Sequence, residues 1–159
     1  MQNLIAVDPG LRSAGWAVFH GQDIVSAGIV NPRQEYREEE VVTRAVDVGQ
    51  QLGDLVHKKF SGVTHAIVEM PVYYGPGDKN AGSIFKLCVC IGSIAQALNE
   101  RGVIVETVNV PEWKGQLPKE VVIRRIKIIV PDWAIKGLNL EKDMWDAVGI
   151  GLWKLGRFK

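Results

Sequence analysis

Three β-rich runs follow one another before the first helix. Residues 3–8 (NLIAVD) are apolar up to a closing acid and stop at Pro9-Gly10. Residues 14–20 (AGWAVFH) and 23–30 (DIVSAGIV) are parted only by Gly21-Gln22. β-branched and aromatic runs of this length, bounded by Gly and Pro, predict three strands in a meander. From Glu38 to Phe60, apolar residues recur near a 3.6-residue period at Val41, Val42, Ala45, Val48, Leu52, Leu55 and Val56, which predicts an amphipathic helix. Residues 64–69 (THAIVE) predict a buried strand, and the Pro/Gly/Tyr-rich MPVYYGPGDKN behind them a loop of about ten residues. A second helix is predicted over 81–101, a fifth strand over 103–108, and further helices over 119–129 and 142–155. Three strands, then helix, strand, helix, strand and terminal helices imply an α/β fold. Its mixed five-stranded sheet continues an antiparallel meander with parallel strands and is flanked by helices. Ligands gather at the carboxyl edge of such a sheet.

At 159 residues the chain suffices for one domain, 1–159, and no repeat or linker divides it. The opening MQNLIAVDPG has no basic segment before a long apolar run, and no stretch nears eighteen uninterrupted apolar residues. The expectation is a cytoplasmic protein with no membrane partner. Cys88 and Cys90 stand two apart in a predicted helix, point to different faces and are expected as free thiols. With no nearby histidine pair they offer no zinc pattern, and His20, His57 and His65 show no ligand spacing. The net charge of +1 hides a polarity: residues 1–78 carry 6 Lys/Arg against 10 Asp/Glu, whereas residues 79–159 carry 13 against 8. The second half can offer a basic face to a polyanion.

Acids that interrupt the apolar pattern are the candidate chemistry. Asp8 and Glu69 each close an otherwise apolar strand, and Asp143 and Asp146 lie three apart at the start of the last predicted helix, on one face. Singly, each has a structural reading: Asp8 as a turn former before Pro-Gly, Glu69 as the partner of a lysine, Asp143 as complement to a helix N-terminus. Together, four carboxylates converging on one point would repel one another and raise each other's pKa, a cost that divalent cations remove. Oxygen-only donors suit Mg²⁺ or Mn²⁺ rather than zinc.

In these blocks the chain resembles the RuvC-type Holliday-junction resolvases of the RNase-H-like superfamily. IAVDPGLRSAGWAVF is similar to that family's opening, AIVEMP to its second acidic motif, KNAGSIFKL to its loop-to-helix segment and DMWDAVGIGLW to its closing Asp-x-x-Asp-Ala motif. The four blocks occur in the family's order and span nearly the whole chain. The stretch before the third helix is shortened to KGQLPKE, as would suit a phage-type or otherwise divergent member. The resemblance implies an RNase-H-like fold, a homodimer, and paired hydrolytic nicks in four-way DNA junctions that leave 5′-phosphate and 3′-hydroxyl ends. It implies Asp8, Glu69, Asp143 and Asp146 as ligands of two Mg²⁺ or Mn²⁺ ions per active site, with Asp8 bridging. Lys114 and Lys119 fall where the family has functional lysines, Lys119 as the catalytic one that stabilises charge on phosphate. Two other readings share the opening turn: a YqgF-type RNA-processing nuclease, which the Glu69 and Asp-x-x-Asp-Ala motifs fit less well, and an actin-like nucleotide-binding module, which needs a second domain.

For DNA contact the candidates are Tyr73 and Tyr74, aromatics on a Gly-flanked loop able to stack on unpaired bases. Lys79, Lys86, Lys114, Lys119, Arg124 and Lys127 are the candidates for phosphates. The 81–101 helix is apolar around more of its circumference than one sheet can cover, which makes it the expected homodimer interface.

Overall fold

The computed structural model describes residues 3–158. Five strands form one sheet: β1 (Asn3–Asp8), β2 (Ala14–His20), β3 (Asp23–Val30), β4 (His65–Met70) and β5 (Ile104–Asn109), in spatial order β3-β2-β1-β4-β5. The first three pair antiparallel, as the short Gly-containing turns between them require. β4 joins β1 in parallel and β5 joins β4 in parallel, each after a helical crossover.

β1 is apolar on both sides because both sides are covered. Ile5 and Val7 face a core made with α1 (Val41–Lys59) and α2 (Ala81–Asn99), through Val48, Leu52, Ile94 and Leu98. Leu4 and Ala6 face a second core made with α4 (Lys119–Ile129) and α6 (Lys142–Lys154), through Val122, Ile126, Val148 and Leu152. The period-2 alternation of a strand thus serves two layers, and the mixed sheet flanked by helices is the architecture expected from the element order.

Two short helices were not foreseen. α3 (Val110–Trp113) follows β5 directly, and α5 (Asp132–Leu138) lies between α4 and α6, ending at Asn139 in the left-handed region (φ 47°). α2 has nineteen residues of mean hydropathy 1.6, enough by length and composition to cross a bilayer. Here it packs on α1 and the sheet, with Ile94 and Leu98 fully buried. Cys88 and Cys90 are both free; burial pushes the Cys90 thiol up to about 11, against a backbone hydrogen bond with Gly10 that lowers it.

Candidate active site

Asp8 ends β1 and Glu69 stands one residue from the end of β4; Val7 pairs with Val68, so the two carboxylates leave adjacent strands at one level. On the other side of β1, Asp8 is paired with Gly15. A Cβ at Gly15 would lie 2.3 Å from the backbone oxygen of Asp143. Without one, the first turn of α6 settles on the sheet next to Asp8, carrying Asp143 and Asp146 with it. Farther along α6, a Cβ at Gly149 would meet the Trp113 ring at 2.7 Å. The buried indole seated there donates its Nε1–H to Glu69 Oε2 at 2.8 Å. Three glycine-dependent or strand-end placements therefore bring acids 8, 69, 143 and 146 to the same carboxyl edge.

The electrostatics record this convergence. Burial first, then the charges of Glu69, Asp146 and Asp143, push Asp8 up to about 8, with Lys119 pulling the other way. Glu69 is raised chiefly by burial and held back by the Trp113 hydrogen bond and by Lys114. Lys119 donates to Asp146 Oδ2 at 2.8 Å, and Lys114 Nζ lies 3.5 Å from Asp146 Oδ1 and 4.8 Å from the centre of the Trp113 ring. Burial works to lower Lys119, but its bond to Asp146 and the charges of Asp146, Asp143 and Asp8 outweigh that and raise it. Lys119 acts on Glu69 as well, so one ammonium sits in the field of all four acids.

Among the described residues no three His, Cys, Asp or Glu side chains stand close enough to enclose one ion as they are. Asp146 is turned to the two ammoniums instead. The acids converge electrostatically, but they do not form the single closed point foreseen from the sequence. Chemically the set still fits a divalent cation: all four donors are carboxylates, Asp8 is driven up by burial and then by its negative neighbours, and the buried Asp146 Oδ1 makes no hydrogen bond. Hard, oxygen-preferring ions relieve that kind of crowding.

The other candidates separate. Tyr74 is 78% exposed, whereas Tyr73, 48% exposed, leans on Phe85 of α2 with ring centres 6.2 Å apart. Their loop is held by Asp78, which accepts from the backbone N–H groups of Tyr74 (3.3 Å) and Asn80 (2.8 Å). Lys79, Lys86, Arg124 and Lys127 are exposed, the last with its ammonium 5.6 Å from the centre of the Trp145 ring. Lys114, largely covered and engaged with Asp146, belongs to the carboxylate cluster rather than to an outer basic surface.

Trp113 is the site residue that sequence reasoning missed. Its signal was present in NVPEW: Asn109 precedes a Pro-containing first turn, and Glu112 at the third position accepts from the Asn109 backbone N–H at 2.6 Å. That is a capping signature for a helix start.

No family model matches the chain, and no curated protein matches it. Solved structures do. Thermus thermophilus RuvC superposes with a TM-score of 0.70 at 18% identity, covering 99% of both chains. The same protein in complex with a Holliday junction substrate gives 0.70 at 17%, covering 100% of this chain and 99% of that one. The yeast mitochondrial Holliday junction resolvase Ydc2 gives 0.61 at 12%, over 99% of this chain and 78% of that one. With the mixed sheet, its flanking helices and this full-length superposition, the chain has the RNase-H-like fold of the RuvC-type resolvases.

Proposed function

We propose that this chain is a structure-selective endonuclease that resolves four-way DNA junctions by paired phosphodiester hydrolysis. The observation that carries the reading is the cluster of Asp8, Glu69, Asp143 and Asp146 around Lys119, at the carboxyl edge of a sheet with the fold of RuvC. That Thermus RuvC has been captured with a Holliday junction supports branched DNA as the substrate class.

Asp8, Glu69, Asp143 and Asp146 would hold Mg²⁺ or Mn²⁺, two ions in this reading. Bound there, such ions supply Lewis-acid polarisation of the phosphate and activation of the attacking water. Water adds to phosphorus, the P–O3′ bond breaks and the 3′ oxygen takes a proton, which leaves 5′-phosphate and 3′-hydroxyl ends. Lys119, 42% exposed at its side chain, stays charged beside the acids and is suited to meet a phosphate oxygen as negative charge develops. Trp113 orients Glu69 through its 2.8 Å hydrogen bond, and Lys114 steadies Asp146. Tyr74, more exposed than Tyr73, is the better candidate to stack on an unpaired base. Two strands must be cut, so two such sites in a homodimer are part of the reading.

The test is incubation with labelled four-way junction, duplex DNA and an RNA hairpin in Mg²⁺. Symmetrical nicks confined to the junction are expected. Equal cutting of duplex, or cutting of RNA alone, would overturn the assignment.

A further inference from the structure

The carboxylate cluster leaves unused a group of cations, three of them arginines in the half of the chain whose net charge is negative. The turn after β1, the 31–38 loop and the first turn of α1 enclose a cleft of about 460 Å³ lined by Arg12, Asn31, Pro32, Arg37, Glu38 and Arg44. An adjoining cleft of about 420 Å³ shares Arg12 and Arg44 and reaches Ser83 and Lys86 of α2. Four cations and one acid, Glu38, line this continuous depression.

Those cations have no internal employment. Arg33, in the same loop, is held by the buried Asp47 at 2.8 Å. Among the described residues Arg12, Arg37, Arg44 and Lys86 form no ion pair. The Nε of Arg44 is buried and makes no hydrogen bond. A buried donor of this kind ordinarily has an acceptor. A bidentate-capable guanidinium set with an unfilled buried donor is matched by phosphate oxygens. Two clefts sharing one wall suit a row of phosphates better than a single small anion.

We propose that this depression is a second phosphate track, which holds backbone phosphodiesters of a DNA arm away from the scissile bond. Arg12 lies four residues after Asp8 in the turn that leaves β1, so a strand lying in the track continues toward the carboxylate cluster. The inference rests on the junction-nuclease reading and extends it to how the arm is held. Contacts of this sort fix register without reading sequence.

The test is binding of a fluorescent four-way junction in EDTA, followed against salt for the full chain. Arg12 and Arg37 are exposed, so the double variant Arg12→Gln/Arg37→Gln keeps the fold, which thermal melting checks. Its affinity should fall at least about tenfold at 0.15 M salt, and the slope of log K against log salt should shrink by about 2, one for each phosphate that the variant no longer neutralises. Arg44→Gln should lower the affinity further. A wild type that binds the junction while the variants match its affinity within twofold and its slope would overturn the track and leave the nuclease reading standing. A wild type that binds no DNA would overturn both. Calorimetry with inorganic pyrophosphate separates the remaining source: pyrophosphate binding lost in Arg44→Gln, with DNA binding untouched, would make this a free-phosphate site and overturn the DNA assignment.

Discussion

Asp8 carries the electrostatic load of the site. Its pKa of about 8 in the folded chain, against an ordinary 3.8, means that the folded state keeps a proton which the unfolded state has released over that interval. Stability from this group is therefore fully present below about pH 4 and is lost as pH rises through about 8. Asn at this position does not titrate. In EDTA at pH 8, Asp8→Asn should stabilise the chain by roughly 1–3 kcal/mol while abolishing cleavage, with the gain shrinking toward pH 5 and on adding Mg²⁺. Equal melting temperatures for the two proteins from pH 5 to 8 would mean that the acids do not crowd one another. Trp113 is the positioning residue. Trp113→Phe keeps a ring against Gly149 and Phe158 but removes the donor to Glu69, leaving a buried carboxylate oxygen unpaired. A stability loss of about 1–3 kcal/mol is expected, along with a 10–100-fold fall in activity. Activity should also need more Mg²⁺ for half-saturation. An unchanged metal dependence would reduce Trp113 to packing.

At the scale of elements, the site depends on how closely α6 lies on β2. Gly15→Ala would drive a methyl into the Asp143 carbonyl, 2.3 Å away, and the backbone there cannot yield without lifting the first turn of α6. The expected cost is roughly 1–3 kcal/mol, with loss of cleavage because Asp143 and Asp146 move. Gly82→Ala in α2, where a Cβ meets nothing within 4 Å, should instead be neutral or stabilise by up to about 1 kcal/mol. Two melting curves decide it: equal effects would show that α6 is not seated by Gly15. The same elements show what the amino acids alone could convey. All five strands and the four longer helices announce themselves by period and by Gly/Pro boundaries, because each buries a face long enough to print one. α3 and α5 are too short for a period, and prolines at their starts read as breaks. Asp8, Glu69, Asp143 and Asp146 were legible as charges where the pattern demands apolar residues. The Trp113–Glu69 bond spans 44 residues, and the Arg12, Arg37 and Arg44 cleft joins segments that nothing local connects. Both are products of packing.

At the scale of the whole molecule, α1 and α2 leave an apolar surface that the fold itself does not cover. α2 is the helix expected from the sequence at the homodimer interface, but its Ile91 and Ile94 are 5% and 0% exposed and belong to the subunit core. A charge there would unfold the chain rather than probe a dimer. The face left open is different: Val89 of α2 is 40% exposed, and Val42 and Val46 of α1 are 60% and 43% exposed. Val46, Val89 and Gly92 line a groove of about 430 Å³ between the two helices, with Gln50, Gln96 and Glu100 at its polar border. At Gly92 nothing lies within 4 Å of an added Cβ, so a second helix can approach closely. Apolar residues on neighbouring helices around a groove, rimmed by polar ones, are the pattern of an association surface. In a two-fold arrangement it would pair with itself and give the two active sites that the proposed junction resolution needs. Wild-type protein should therefore sediment as a dimer at micromolar concentration. Val89→Glu should give a folded monomer with an unchanged circular dichroism spectrum, able to nick single strands but not to resolve junctions by paired cuts, because introducing a charge into the partner contact is costly while at a monomer's surface it is not. If the wild type sediments as a monomer, or if Val89→Glu remains dimeric and resolves junctions normally, the two-fold contact lies elsewhere or does not form.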